Sequence, residues 1–139
     1  MMLPASLNSD SRVSSGHRPR ILVVEDYWLV AMQAQLMLED QDCEVVGPVG
    51  TIAEASSLAQ ESELSGAILD VSLGDRYSFP IAEILEGRKI PFAFATGYTA
   101  SSLPEKYLGR PHFNKPYNNA MVTQFLRAIG ISPLSLVGQ

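Results

Sequence analysis

The sequence predicts an α/β domain in which one five-stranded parallel sheet is covered by helices on both faces. Two observations lead there. Short, continuous β-branched and aliphatic runs, apolar on both faces, alternate with longer stretches whose apolar residues recur at helical spacing. Strict β/α alternation within one domain then requires parallel strands joined by right-handed crossovers, which place helices on both sides. The length of 139 residues suits one domain with one core.

The first 19 residues, rich in Ser, Arg, Asn and Pro without apolar periodicity, read as a flexible tail, with the ordered domain spanning 20–130 and a short tail at 131–139. Ile21 to Val24 is the first strand and ends abruptly in two acids, Glu25 and Asp26. From Tyr27 to Glu39, Leu29, Met32, Leu36 and Val30, Ala34, Met37 recur at helical spacing with no Gly or Pro between them. Glu44 to Val49 reads as a second strand. Thr51 with Glu54 forms a capping box ahead of a second helix that ends by about Ser62.

Ala67 to Leu69 is a third strand running into Asp70. Gly74 marks a loop, and Ser78 with Pro80 suits the opening of a third helix whose buried stripe is Ile81, Ile84 and Leu85 and which Gly87 stops. Pro91 to Ala95 forms a fourth strand that passes into Thr96, Gly97 and Tyr98. Residues 99 to 110 carry Pro104, Gly109 and a thin apolar pattern, which permits at most a short helix. Pro111 to Asn114 supplies a fifth strand. After Lys115 and Pro116, the residues Met121, Val122, Phe125, Leu126 and Ile129 form an amphipathic helix capped by Asn118.

Composition excludes several classes. Hydrophobic residues at 46% against 18% charged residues are the balance of a folded protein, not a disordered one. The net charge of -5 argues against a general affinity for nucleic acid, which needs clustered Lys and Arg. The single cysteine, Cys43, can form neither an internal disulfide nor a multi-thiolate metal site, and reads as a semi-buried structural thiol. No run approaches the length of a membrane span, and the N-terminus lacks the apolar centre of a secretory signal, so a cytoplasmic location is expected.

In such sheets ligands bind beyond the C-terminal ends of the strands, where the strand order reverses. Glu25 and Asp26 follow strand one, Asp70 strand three, Thr96 strand four and Lys115 strand five, so all fall at that end. Three converging carboxylates repel one another unless a cation neutralises them, and oxygen-only ligands suit Mg²⁺. A carboxylate beside Mg²⁺ can attack a phosphoryl group, with Lys115 and the Thr96 hydroxyl binding the phosphoryl oxygens. Asp70, which ends the central strand, is the best placed nucleophile.

At ILVVED, AILDVSL, FATGY and NKP the chain resembles the receiver domain of two-component response regulators, over residues 20 to about 130. The resemblance implies a flavodoxin-like (βα)5 fold like that of the chemotaxis regulator, with strand order 2-1-3-4-5. It implies that Asp70 accepts phosphate from a histidine kinase or a histidine phosphotransfer protein. Asp26, Asp70 and the backbone carbonyl of Ser72 would bind Mg²⁺, Glu25 would orient metal-bound water, and Lys115 would contact the phosphoryl group. Thr96 would move toward the new phosphate and an aromatic ring on strand five would follow, biasing a partner surface. The chain departs from that pattern in having His112 three residues before Lys115, where Tyr or Phe is usual. The FATGY string itself resembles a receiver subgroup often paired with HWE-type or related histidine kinases, in which Tyr98 takes the aromatic role. The family implies a phosphoacceptor and not an enzyme beyond self-catalysed phosphorylation and dephosphorylation, a phosphate shuttle, sink or partner switch, monomeric or weakly dimeric.

Simpler readings exist for each residue. Asp26 alone would be a helix N-cap, Thr96 a loop hydroxyl, Lys115 a solvated charge and His112 a surface residue. A haloacid-dehalogenase-like phosphatase needs a second Asp two residues after the nucleophile, where Ser72 stands. Gly47-Pro48-Val49-Gly50 hints at a phosphate loop but matches neither nucleotide-binding pattern. A degenerate receiver, acting as a phosphorylation-independent interaction module, shares the fold.

Overall fold

The computed structural model of the chain describes residues 18–97, 103–109 and 111–131. Its elements are β1 (Arg20–Val24), α1 (Trp28–Asp40), β2 (Glu44–Val49), α2 (Ile52–Glu61), β3 (Gly66–Asp70), β4 (Ser72–Leu73), β5 (Arg76–Tyr77), α3 (Phe79–Gly87), β6 (Phe92–Thr96), a 3-10 turn (Glu105–Tyr107), β7 (His112–Asn114) and α4 (Asn119–Ala128). The main sheet is parallel throughout with order β2-β1-β3-β6-β7. Setting the small β4–β5 pair aside, this is the 2-1-3-4-5 order the sequence implied. The order reverses between β1 and β3, which is where a ligand is expected.

The continuous apolar runs are buried on both faces because successive side chains point to opposite sides. Leu22 and Val24 of β1 join the core layer beneath α2 and α3, whereas Ile21 and Val23 join the layer beneath α1 and α4. Both expected caps form. The Thr51 hydroxyl accepts from the Glu54 amide at 3.2 Å and the Asn118 side chain accepts from the Met121 amide at 2.8 Å. Ser78 stands at the N-cap of α3 with Pro80 in the first turn, but its hydroxyl makes no cap bond.

Several expectations need correction. Of the two apolar series read along α1, Val30, Ala34 and Met37 face the core as expected, joined by Ala31 and Leu38, whereas Leu29, Met32 and Leu36 are exposed. This helix is apolar around most of its circumference, so spacing alone could not select a face; the small Ala31 and Ala34 let it lie close to the sheet. The loop marked by Gly74 is an antiparallel hairpin, with Gly74 (φ 62°) in the turn between β4 and β5. α3 ends on Gly87 as expected, and the left-handed turn out of it is taken by Lys89 (φ 61°) and not by the glycine.

The buried part of α3's stripe is Ile81, Ala82 and Leu85, with Ile84 half-buried. Pro19, assigned to the tail, is tied to the sheet, since its carbonyl accepts from the Glu44 amide at 2.8 Å. Residues 47 to 49 lie inside β2, where Gly47 (φ 95°) carries an irregularity opposite Val23, so the Gly47 to Gly50 string is not a phosphate loop. Cys43 is fully buried, and burial, with Asp42, pushes its thiol up to about 11, which makes it inert. Among the described residues no helix is long and apolar enough to cross a membrane. The remainder of the expected tails, at 1–17 and 132–139, and Tyr98 lie outside the described residues.

Candidate functional site: an acidic cluster closed by a lysine

Three strand ends build the site. β1 delivers Glu25 and Asp26, β3 ends on Asp70, and the chain after β7 brings Lys115. Register places Asp70 beside Ala95 of β6, and the Lys115 amide donates to the Thr96 carbonyl at 2.9 Å, so Thr96 and Lys115 are joined through the backbone at the same edge. Carboxylate oxygens of Glu25, Asp26 and Asp70 lie within 4.8 Å of one another. The Lys115 ammonium closes the cluster, 2.7 Å from Glu25 Oε1 and 3.0 Å from Asp70 Oδ2.

Burial sets the electrostatics. The Asp70 side chain is 9% exposed and that of Glu25 fully buried. Desolvation, then repulsion from Glu25, pushes the Asp70 carboxyl up to about 7 despite the opposing pull of Lys115. For Lys115, burial works against the charged form, but hydrogen bonding and charge from Glu25 and Asp70 outweigh it and hold the ammonium above its ordinary range. The cluster thus holds more negative charge than one lysine offsets.

Each acid is also held by backbone. The Tyr27 amide donates to Glu25 Oε2 at 3.1 Å and the Ser72 amide to Asp70 Oδ1 at 3.3 Å. The Gly74 amide, at the hairpin turn, donates to Asp26 Oδ2 at 2.9 Å. Gly50 completes the packing: a Cβ there would lie 3.1 Å from Asp26 Cα and 3.4 Å from the Glu25 carbonyl oxygen. Gly74 and Gly50 are site residues that motif reading did not find, because what they contribute is an amide and a close approach rather than a side chain.

The donor set fits a hard divalent cation. It offers oxygen alone, and a spread of 4.8 Å is near the roughly 4 Å between opposite corners of a Mg²⁺ octahedron. Glu25, Asp26 and Asp70 would hold such an ion, with Ser72 two residues beyond Asp70 at the start of β4.

Thr96 is buried at the end of β6, whereas His112 is exposed on β7, in register with Phe94. The neighbouring Phe113 enters the layer beneath α1 and α4, so alternation puts His112 on the opposite face. Tyr107 is buried in the core layer on that face, packed against Phe79, Phe92 and Phe94 at centroid distances of 5.6, 6.2 and 5.2 Å. The sequence flagged 99 to 110 only as irregular, and a lone Tyr between a Lys and a Leu gave no periodic signal of burial.

The chain is similar to solved structures of known proteins. It is 40% identical to SdrG from Sphingomonas melonis Fr1, covering 81% of this chain and 96% of that one with a TM-score of 0.74. It is 30% identical to the non-phosphorylated HemR receiver domain from Leptospira biflexa, covering 83% and 97% with a TM-score of 0.67. Among curated proteins it is 34% identical over 91 residues to the phyllosphere-induced regulator PhyR of Methylorubrum extorquens, covering 63% of this chain and 32% of that protein. The chain spans between a third and a half of the length of the curated relatives it matches. No family model matches it. Fold, strand order and these likenesses agree, and the chain belongs to the response-regulator receiver family.

Proposed function

We propose that this chain is a phosphoacceptor in a two-component phosphorelay. The observation that carries the reading is the closure of Glu25, Asp26 and Asp70 into one oxygen cluster with Lys115 across Glu25 and Asp70. An Asp70 carboxylate oxygen attacks the phosphorus of a phosphohistidine; an O–P bond forms as the P–N bond breaks, and the imidazole leaves with the bond's electrons and takes a proton. Lys115 and the Thr96 hydroxyl bind the phosphoryl oxygens. Glu25, Asp26, Asp70 and the Ser72 carbonyl would hold Mg²⁺, whose charge would offset that of the phosphoryl group.

The donor is a histidine kinase, HWE-type or related by the FATGY resemblance, or a histidine phosphotransfer protein. The exposed side of α1 supports this. Trp28 at 66% and Leu36 at 58% exposure, with Tyr27, Leu29 and Met32, make an apolar strip beginning beside the acidic pair. A cleft of about 350 Å³ lined by Asp26, Trp28, Met32, Pro48 and Gly50 continues it. Such a strip suits the apolar face of a helix that presents a phosphohistidine. Phosphorylation then moves Thr96, with Tyr98 and His112 as partners in the switch. The protein works in the cytoplasm, as monomer or weak dimer, with no nucleic acid partner, and passes its signal to another protein or its phosphate onward.

Borohydride trapping tests the assignment. Protein treated with a phosphodonor and Mg²⁺, reduced and digested, should carry homoserine at position 70 and nowhere else. Reduction at another aspartate, or at none when a cognate donor is used, would overturn the reading and favour an interaction module that works without phosphate.

A further inference from the structure

Between Asp70 and α3 the chain builds a hairpin whose strands, β4 and β5, have two residues each and pair Ser72 with Tyr77 and Leu73 with Arg76. A two-stranded ribbon of this size does not hold itself in water and must be anchored from outside. β4 is anchored by Leu73, which is buried in the core layer beneath α2 and α3. β5 has no buried residue, since Arg76 and Tyr77 are both exposed. It has a ring contact instead. Tyr77, 53% exposed, lies flat on Phe79 with centroids 5.2 Å apart and planes 10° from parallel. Phe79 is itself packed against Tyr107 and Phe94 at 5.6 and 5.9 Å, which gives the Tyr77 ring a fixed base in the core.

The tip of this hairpin reaches the acidic cluster, where the Gly74 amide donates to Asp26 Oδ2 at 2.9 Å. Asp26 is the exposed member of the three acids, so its side chain has the most rotamer freedom to lose when it ligates a cation. A ligating carboxylate is commonly oriented by a hydrogen bond from a neighbouring group, which aims its remaining lone pairs. With Oδ2 on the Gly74 amide, Asp26 keeps lone pairs for an ion shared with Glu25 and Asp70. That orientation lasts only while the hairpin tip stays seated over Asp26.

We propose that Tyr77 is a positioning residue for the cation site: its ring, stacked on Phe79, holds β5 in its pairing with β4 and so keeps the Gly74 amide on Asp26. This rests on the reading of Glu25, Asp26 and Asp70 as the Mg²⁺ site of a phosphoacceptor. A ring that merely sheltered Phe79 from water would act on stability and leave the affinity for the cation unchanged.

Mg²⁺ titrations of the full chain, followed by Trp28 fluorescence, separate the two roles. Tyr77→Ala should bind Mg²⁺ about fivefold more weakly, part of the roughly tenfold or more that outright loss of a ligand-orienting hydrogen bond costs. Tyr77→Phe keeps the stacked ring and should bind as wild type does. In metal-free protein, the Gly74 amide proton, shifted downfield by its carboxylate acceptor, should move upfield in the nuclear magnetic resonance spectrum of Tyr77→Ala and stay in place in Tyr77→Phe. On an Asp26→Ala background, which removes the carboxylate, Tyr77→Ala should weaken Mg²⁺ binding no further. Equal affinity of Tyr77→Ala and wild type overturns the proposal and leaves the ring a cover for Phe79. Tighter binding overturns it too, since the Gly74 amide would then compete with the cation. So does an equal loss in Tyr77→Phe, which would assign the effect to the hydroxyl, or an undiminished loss on Asp26→Ala. Failure of the wild type itself to bind Mg²⁺ overturns instead the reading of the cluster as a cation site.

Discussion

Asp70→Asn should stabilise the metal-free protein, and increasingly so as the pH rises. The Asp70 carboxyl is raised from 3.8 to about 7, first by burial and then by Glu25. Between these values the folded chain holds a proton that the unfolded chain has lost. Stability therefore falls as the pH rises through this window and is level above it. Asparagine keeps an oxygen for Lys115 and has no proton to lose.

From about pH 5.5 to about pH 7 the gap between variant and wild type should widen by about 2 kcal/mol at 1.36 kcal/mol per unit. The neighbouring Lys115 charge shares in this change, and halving for its part leaves about 1 kcal/mol. With an unfolding entropy of about 2.1 cal/mol/K per residue over roughly 110 residues, this is a widening of about 4–9 °C in melting temperature. Thermal unfolding followed by circular dichroism in chelator, at about pH 5.5 and about pH 8, measures it. Saturating Mg²⁺ should raise the wild type more than the variant and close the gap. A gap independent of pH, or a variant less stable than wild type at the higher pH, would refute the reasoning.

Other perturbations reach the same site from different sides. Lys115→Met leaves Glu25 and Asp70 buried without their cation and should cost about 3 kcal/mol in chelator, while tightening Mg²⁺ binding several-fold; the fluorescence of Trp28, the only tryptophan, beside Asp26 in the cleft, reports the titration. Gly50→Ala places a Cβ 3.1 Å from Asp26 Cα, so Mg²⁺ affinity by the same titration should fall several-fold, and an unchanged affinity would show that the loop yields. Asn118→Ala removes the acceptor for the Met121 amide and should lower the urea unfolding free energy by about 1 kcal/mol.

What the sequence revealed and what it hid follow one physical line. Features carried by periodicity or by a side chain were legible: the five strands, the caps at Thr51 and Asn118, and the acids and lysine that meet at the strand ends. The parallel order made that meeting predictable, since it sends every strand end to one edge. Features carried by backbone or by choice among equivalent faces were not. Gly74 acts through its amide and Gly50 through an absent Cβ, and α1 offers apolar residues on several sides, so nothing local told Leu36 from Leu38. Tyr107 and Tyr117 are single aromatic residues whose burial depends on partners outside any local periodic pattern, Phe92 and Phe94 for the one, the layer of α1 and α4 for the other.

The most direct test of the central claim is the intact mass of the protein after incubation with acetyl phosphate and Mg²⁺, beside the Asp70→Asn variant treated in the same way. A single labile phosphate adduct on wild type and none on the variant is the result expected of a phosphoacceptor aspartate at the end of β3. An adduct of equal yield on both proteins, or none on wild type with a cognate phosphohistidine donor, would contradict it.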